Sequence, residues 1–200
     1  TRAYLEAEIE FVLRRTRPSM VILELGCGYG RVLERLLPAV HVVFGIDTSL
    51  ASLRLALQLM GGKPSLRLAC MDALSMGFRD GVFDLTLCVQ NGICAFAVDQ
   101  QQLFREAFRV TRSGGRVLFS SYSAQFWEHR LQWFEIQSAQ HLIGEIDQQA
   151  TGNGVIVCKD GFRATTADRM TLEKLAAGLG VVPRITEVDS SSLFCEIVVP

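Results

Sequence analysis

The sequence predicts an α/β fold in which helices cover both faces of a mostly parallel sheet. Short runs of β-branched and apolar residues alternate with segments of helical period, as in strands joined by crossover helices. Near the end of the chain only Asp189–Ser192 separates two strand-like runs. A parallel return needs a dozen or more residues, so we expect the last strand to run antiparallel.

Five strand-like runs come first, with helices between them. The predicted strands are Met20–Leu25, Val40–Ile46, Ser65–Cys70, Phe83–Val89 and Arg116–Ser120. The predicted helices are Tyr4–Arg15, Arg31–Leu37, Leu50–Met60 and Gln100–Val110. In the last helix Leu103, Ala107 and Val110 share one stripe, and Ser113-Gly114-Gly115 follows as a stop signal.

After the fifth strand the pattern changes to an insertion at about 124–166. Ala124–Ile143 predicts one long aromatic-rich helix, whose aromatic side chains suit either core packing or the wall of a substrate pocket. A hairpin follows, with strands Gly154–Cys158 and Phe162–Thr165. The predicted fold ends with helix Thr171–Leu179, its cap Gly180, and strands Val181–Val188 and Leu193–Val199, which gives seven strands in the main sheet.

Composition favours a globular domain that acts on small molecules. The 200 residues suit a single domain, 1–200, with 49% hydrophobic and 20% charged residues. The formal net charge is −1 and the basic residues are scattered, so no nucleic-acid surface is indicated. We find no apolar run long enough to span a membrane and no signal-peptide pattern, and therefore expect a cytoplasmic protein. The sequence leaves the oligomeric state open.

Six dispersed cysteines lack the paired spacing of a zinc site, so we expect no metal site. They are Cys27, Cys70, Cys88, Cys94, Cys158 and Cys195. We interpret them as reduced thiols of the core or of the site edge. Since four of them lie near predicted strand ends, a site that binds arsenic or another thiophilic substrate is an alternative interpretation.

Three closely spaced glycines, Gly26, Gly28 and Gly30, lie between the first predicted strand and the first crossover helix. Glycine lets the backbone turn sharply and approach a ligand that a Cβ would exclude, although a tight turn without a ligand has the same pattern. Asp47 ends the second strand, where an acid can accept hydrogen bonds from both hydroxyls of a ribose. Asp72 ends the third strand, where a carboxylate can receive an adenine amine. Singly, each acid also fits a helix cap or a turn.

In this order and spacing, the motifs resemble the class I S-adenosylmethionine-dependent methyltransferase family from about Met20 to the C-terminus. The matching segments are Glu24-Leu25-Gly26-Cys27-Gly28-Tyr29-Gly30, Gly45-Ile46-Asp47, Met71-Asp72-Ala73, Phe83-Asp84-Leu85-Thr86-Leu87-Cys88 and Arg109 to Val117. The resemblance implies a Rossmann-like fold, S-adenosyl-L-methionine as cofactor, and transfer of its methyl group to a small molecule.

The resemblance also implies the cofactor-binding residues. Gly26, Gly28 and Gly30 would line the methionine part of the cofactor, Asp47 would hold the ribose, and Asp72 with its neighbours would hold the adenine. The full predicted set is Glu24, Gly26, Cys27, Gly28, Gly30, Asp47, Thr48, Met71, Asp72, Ala73, Val89 and Gln90.

The catalytic residues stay open at this stage. Methyl transfer is an in-line displacement in which positioning supplies much of the acceleration, and a general base is needed only for some acceptors. The candidates near the acceptor are Gln90, Asn91, Tyr122 and His129, for which an Asn-Gly turn or a surface histidine are the structural alternatives.

Two other functions share part of this pattern. An NAD-dependent oxidoreductase would use the same glycine turn and the acid after the second strand. The glycine spacing G-x-G-x-G, the acid after the third strand and the reversed last strand argue against it. A noncatalytic module that binds S-adenosylmethionine would keep the glycines and both acids and lack an open acceptor pocket.

Overall fold

The computed structural model describes residues 2–200. The strands are β1 (Val21–Leu25), β2 (Val42–Asp47), β3 (Leu66–Cys70), β4 (Phe83–Cys88), β5 (Thr111–Tyr122), β6 (Ile156–Val157), β7 (Arg163–Ala164), β8 (Arg184–Val188) and β9 (Ser192–Val198). The helices are α1 (Arg2–Leu13), α2 (Arg31–Leu36), α3 (Leu50–Met60), α4 (Gly92–Ala95), α5 (Gln100–Val110), α6 (Trp127–Ala139) and α7 (Arg169–Ala177).

Seven strands form one sheet in the order β3-β2-β1-β4-β5-β9-β8. The pairs that join the first five strands are parallel, whereas β9 pairs antiparallel with both β5 and β8. The predicted fold class is therefore confirmed, including the reversed last strand. Because the order changes direction between β1 and β4, their carboxyl ends open into a crevice where sheets of this kind bind ligands.

Helices cover both faces of this sheet with buried apolar side chains. Phe11 of α1 and Leu33 of α2 belong to the cluster on one face, and Leu103 and Phe104 of α5 belong to the cluster on the other. The predicted stripe of α5 is confirmed, since Leu103, Ala107 and Val110 are fully buried. In the described residues, no helix has both the length and the apolar character needed to cross a membrane.

The insertion forms a satellite of the main sheet. Its small core contains Phe134 of α6 with Ile156 and Cys158 of the predicted hairpin, and Trp127 packs against them. The hairpin strands β6 and β7 pair antiparallel, as predicted, over two residues each. The aromatic surface of α6 therefore serves mainly as core packing for the insertion.

Several predicted boundaries were wrong. The long helix Ala124–Ile143 divides into a 3₁₀ turn at Ala124–Phe126 and α6, which ends at Ala139 before the left-handed His141 (φ 57°). Helix α7 starts two residues earlier than predicted because Asp168 caps it by accepting a hydrogen bond from the Thr171 amide, 2.8 Å away. Gly178, not Gly180, is its C-cap.

The predicted turn at Ser113-Gly114-Gly115 is a bulge within a longer strand. The β4–β5 register shifts between Phe83 and Leu85, and Gly114 takes the left-handed conformation there (φ 71°). Beyond this irregularity β5 continues to Tyr122, two residues past its predicted end, so that it reaches the insertion.

Candidate functional site

Two adjoining clefts lie at the carboxyl ends of the parallel strands and share Gly26 and Phe96. The β2–β3 cleft, of about 200 Å³, is lined by Gly26, Asp47, Thr48, Met71, Asp72, Ala73, Leu74, Phe96 and Val98. The β1–β4 cleft, of about 180 Å³, is lined by Glu24, Gly26, Cys27, Gly28, Tyr29, Arg31, Val32, Val89, Gln90, Gly92, Ala95 and Phe96. Of the predicted cofactor-binding residues, Gly30 alone lines neither cleft.

Asp47 links the two predicted motifs directly. Its Oδ2 accepts a hydrogen bond from the Gly28 amide at 2.8 Å, and its Oδ1 accepts one from the Ser49 amide at 2.7 Å. These contacts fix the glycine turn against the end of β2. Each carboxylate oxygen can accept more than one hydrogen bond, so Asp47 can also receive hydroxyl donors from a ligand in the β2–β3 cleft.

The three glycines of the turn meet different surroundings. All have positive φ, which favours glycine. A Cβ on Gly26 would lie 2.1 Å from Cζ of Phe96, and a Cβ on Gly30 would lie 2.0 Å from Cε of Met60 in α3. A Cβ on Gly28 would have no atom within 4 Å. Gly30 therefore serves helix packing, whereas Gly28 exposes its backbone to the β1–β4 cleft.

Glu24 places a buried carboxyl at the wall of the β1–β4 cleft. Burial, together with the negative charge of Asp47, raises its pKa from 4.5 to about 8, against an opposing effect of Arg31. Its Oε2 has no hydrogen-bond partner among the described residues. A buried, unpaired carboxyl facing a cleft suits a ligand that brings a cationic donor such as an ammonium group.

Asp72 and Met71 form the outer side of the β2–β3 cleft. Asp72 is exposed, and its Oδ1 accepts a hydrogen bond from the Leu74 amide at 2.8 Å, so it has the geometry of a turn residue, which was the alternative to ligand binding. The contact leaves the second carboxylate oxygen of Asp72 for a donor on a ligand. Met71 and Ala73 add an apolar surface beside it, which is the combination that a flat polar-edged ring such as adenine needs.

The loop after β4 has an unusual backbone. Gln90, Asn91 and Ala97 have φ of 58°, 60° and 53°, in the left-handed region that L-residues rarely adopt. Glu8 of α1 supports this loop: it is fully buried, and its Oε2 accepts a hydrogen bond from the Gln90 amide at 2.9 Å. Burial raises the pKa of Glu8 from 4.5 to about 6.

The two amide candidates have different surroundings. Asn91 is buried, and both ends of its amide are bonded: Nδ2 donates to the Thr165 carbonyl at 3.0 Å, and Oδ1 accepts from Oγ of Ser121 at 2.9 Å. Nε2 of Gln90 is buried and has no hydrogen-bond partner among residues 2–200. Asn91 thus joins the sheet to the insertion, whereas Gln90 faces the β1–β4 cleft with a donor to spare.

A third cavity, the insertion cavity, lies between the end of β5 and the insertion and has a volume of about 490 Å³. It is lined by Tyr122, Ser123, Ala124, Trp127, Arg130, Asn153, Gly154, Thr166, Asp168 and Leu193. Tyr122 therefore lies at a cavity. His129 lines none of these three cavities: it is exposed and stacks on Phe126 at 5.5 Å between ring centroids.

The cysteines are all unpaired thiols. Burial raises the pKa of Cys27 and of Cys88, which keeps both thiols protonated near neutral pH. Among residues 2–200, no three side chains of His, Cys, Asp or Glu are grouped so as to hold a metal ion.

Three residues near these cavities were missed by sequence reasoning: Glu8, Phe96 and Arg130. Glu8 and Arg130 are charged residues on helices whose partners lie far away in the chain. Phe96 lies in the ten-residue segment between Val89 and Gln100 that no predicted element covered. Glu8 alternates with Glu6 and Glu10 in α1, so the local sequence does not distinguish it from a surface residue.

Comparison with known proteins finds similarity to methyltransferases. Residues 23–119 match the family model described as a methyltransferase domain. Malonyl-[acyl-carrier protein] O-methyltransferase of Marinomonas sp. (strain MWYL1) is 30% identical over 61% of this chain and 46% of that protein. Demethylmenaquinone methyltransferase of Streptomyces griseus is 29% identical over 56% of this chain and 46% of that protein. The chain thus aligns with about half the length of these curated relatives.

The fold is also found among solved structures. A crystal structure of a protein from Pyrococcus horikoshii superposes with a TM-score of 0.74 at 21% identity, over 100% of this chain and 91% of that one. The sheet order and the superposition show a Rossmann-like fold, and residues 23–119 of this chain are similar to a methyltransferase domain.

Proposed function

We propose that this chain is an enzyme that transfers the methyl group of S-adenosylmethionine to a small molecule. One observation carries the proposal: of the twelve residues predicted to hold the cofactor, all but Gly30 line two adjoining clefts at the switch point of the sheet. Two clefts that meet at Gly26 suit a ligand with a nucleoside at one end and an amino acid at the other.

The residues present fit that cofactor by their own chemistry. The free acceptor positions of Asp47 suit the ribose hydroxyls, and the apolar Met71 beside Asp72 suits an adenine ring with its amine. The unpartnered Glu24 suits the ammonium of the amino acid end, and the open backbone at Gly28 admits the chain between them. We assign these roles as part of the proposal.

The bound cofactor would supply an electrophilic methyl group on a sulfonium. The protein then needs to hold an acceptor lone pair behind that methyl carbon and to exclude water. No dedicated catalytic group is required when the acceptor is already deprotonated. The loop of Gln90 and Asn91 lies between the β1–β4 cleft and the insertion, so an acceptor would approach over it. Tyr122 and Gln90 are the polar groups that we expect to contact it.

The relatives support a small acceptor and leave its identity open. One is named for methylating a malonyl group on a carrier protein and another for methylating demethylmenaquinone. The two names give different acceptors, so they do not identify the acceptor of this chain. The free thiols suit a reducing compartment, and we place the protein in the cytoplasm on that ground.

Calorimetric titration of the purified chain with S-adenosylmethionine, S-adenosylhomocysteine and NAD tests the proposal. We expect both sulfur nucleotides to bind and NAD not to bind. Binding of NAD alone would overturn the proposal in favour of an oxidoreductase. Binding of the sulfur nucleotides without methyl transfer to any member of a panel of carboxylate, phosphate-bearing, phenolic and amine acceptors would favour the noncatalytic module.

A further inference from the structure

Arg130 is a buried cation that has no counterion among residues 2–200. Its side chain is 1% exposed, and no ion pair joins its guanidinium to a carboxylate of the described residues. Glu8 is also buried near Tyr122, but it binds the Gln90 amide and not Arg130. Burying a charge without a partner is costly, so charged side chains are rarely found in this state unless a ligand or a metal completes the site.

The contacts that Arg130 does make hold it in place without neutralising it. Nη1 donates to the Gly154 carbonyl at 2.7 Å, and Nη2 donates to the Ala164 and Thr165 carbonyls at 2.9 and 3.3 Å. These carbonyls carry dipoles and no net charge. The Nε–H of Arg130 has no acceptor among residues 2–200. A purely structural clamp for the hairpin would account for the Nη contacts and leaves the unpaired Nε and the charge unexplained.

The guanidinium also lines an open space. Arg130 is a wall of the insertion cavity, and its Cζ lies 4.9 Å from the ring centroid of Tyr122, another wall residue. The ring of Tyr122 and the side chain of Trp127 make the surroundings of the Arg130 guanidinium partly apolar. A less polar environment strengthens the attraction of a cation for an anion. Asp168 is the carboxylate at this cavity; it is exposed at the rim and is engaged as the cap of α7.

The cavity is connected to the cofactor side through one shared atom. The Thr165 carbonyl accepts hydrogen bonds from both Arg130 and Asn91, and Asn91 follows Gln90 of the β1–β4 cleft. Arg130, at the insertion cavity, and the loop over which we expect methyl transfer are therefore held by the same backbone atom.

We propose that the insertion cavity is the acceptor site and that Arg130 binds a carboxylate or phosphate group on the acceptor. This inference rests on the proposed function and adds its substrate class. Neutral acceptors of the same shape would leave the Arg130 charge unpaired, so the site would reject them.

The test uses nuclear magnetic resonance of the full chain saturated with S-adenosylhomocysteine, whose own binding is measured first. The probes are malonate, inorganic phosphate and dimethyl malonate, and the readout is the ¹H–¹⁵N signal of Arg130 Nε, assigned by its absence from Arg130→Met. We expect malonate or phosphate to shift that signal in a saturable way and dimethyl malonate to leave it unchanged. The anion that binds more tightly identifies the group as a carboxylate or a phosphate.

Two variants and one control make the result specific. Because Arg130→Met lacks the Nε signal, anion binding to the variants is measured by calorimetry. Arg130→Met should weaken anion binding at least about tenfold, as expected for loss of a charge-assisted hydrogen bond. Ala124→Trp should do the same by filling the cavity from an exposed wall position, so it serves if Arg130→Met fails to fold. Arg163→Met, which removes an exposed arginine of β7, should change nothing.

The inference is overturned if neither anion shifts the Nε signal while S-adenosylhomocysteine binds normally. It is also overturned if the anions bind equally well to Ala124→Trp or to a folded Arg130→Met, because the site would then lie elsewhere. Absence of S-adenosylhomocysteine binding would instead refute the proposed function, and the two failures are thus distinguished.

Discussion

The β2–β3 and β1–β4 clefts, which we propose bind the cofactor, and the insertion cavity are built in different ways. The clefts are made by strand ends and one glycine turn, and their polar side chains contact backbone a few residues away or on the next strand, as Asp47 does with Ser49 and Gly28. The insertion cavity is made by a helix and a hairpin whose contacts are distant in sequence, as between Arg130 and Thr165. The first kind of site keeps one cofactor geometry, and the second can change with the acceptor.

The largest effect that separates the two regions is expected from Asp47→Ala. Asp47 holds the glycine turn, and we propose that it also binds the ribose, so its loss should weaken S-adenosylhomocysteine binding about 100-fold by calorimetry. Asp147→Ala is the matched control, since Asp147 also accepts hydrogen bonds from two backbone amides, those of Gln149 and Ala150, within the insertion. An Asp47→Ala protein that is folded and retains its affinity would refute the role assigned to Asp47.

Asn91→Ala should mainly affect the junction between the two regions. It removes the hydrogen bonds to Thr165 and Ser121 and leaves buried polar atoms unpaired, so we expect the free energy of unfolding to fall by about 2 kcal/mol in urea denaturation. Gln90→Ala is the matched comparison, because Nε2 of Gln90 lacks a partner among the described residues. Equal destabilisation by both changes would contradict the structural role of Asn91.

The predictability of the molecule follows the same division. Helices α3 and α5 have the predicted bounds, because Ser49 and Asp99 cap them locally. The clefts were predicted because glycine turns and strand-end acids are local patterns. Arg130 was not, since its three carbonyl partners are 24 to 35 residues away and no periodicity records them.

The wrong helix ends have a similar cause. The predicted helix Ala124–Ile143 extends past Ala139, whereas the chain turns at His141 and Ile146 lies in the insertion core. Burial of Ile146 decides that turn, and such tertiary packing outweighs the helical period of the sequence. The extension of β5 to Tyr122 is likewise a consequence of its pairing with Ser192 of β9.

Glu24 should make cofactor binding depend on pH. With its pKa raised to about 8, this carboxyl is mostly protonated at neutral pH in the free protein. A bound ammonium favours the charged form and releases the proton, so affinity should rise about tenfold per pH unit below pH 8. Calorimetry in buffers of different ionisation enthalpy should detect the released proton, and Glu24→Gln should abolish the release.

The same group sets a pH dependence of stability with the opposite direction. The unfolded chain loses this proton near pH 4.5 and the folded chain near pH 8, so the stability that Glu24 contributes is present below pH 4.5 and is lost as the pH rises to about 8. Glu8, with a pKa of about 6, should contribute over a narrower window that ends sooner. A flat stability profile for the wild type, identical to that of Glu24→Gln, would show that Glu24 is already ionised.

The smallest effect concerns Phe96, which separates the two cofactor clefts. Its ring lies against Gly26, where both clefts meet, and the following Ala97 has a positive φ. We expect a ligand that spans both clefts to displace this ring, so that the free protein would be competent only in the fraction of molecules with the ring displaced. Phe96→Ala should therefore raise the association rate constant of S-adenosylhomocysteine several-fold in surface plasmon resonance.

Phe162→Ala is the control for the loss of an aromatic side chain. Phe162 is exposed on the insertion and lines neither cleft. If Phe96 instead packs on the bound cofactor, the variant would dissociate faster without associating faster. The ratio of the two rate effects thus decides whether Phe96 is a barrier to entry or a wall of the site. A barrier of this kind belongs to the clefts alone, because the insertion cavity does not include Phe96 among its walls.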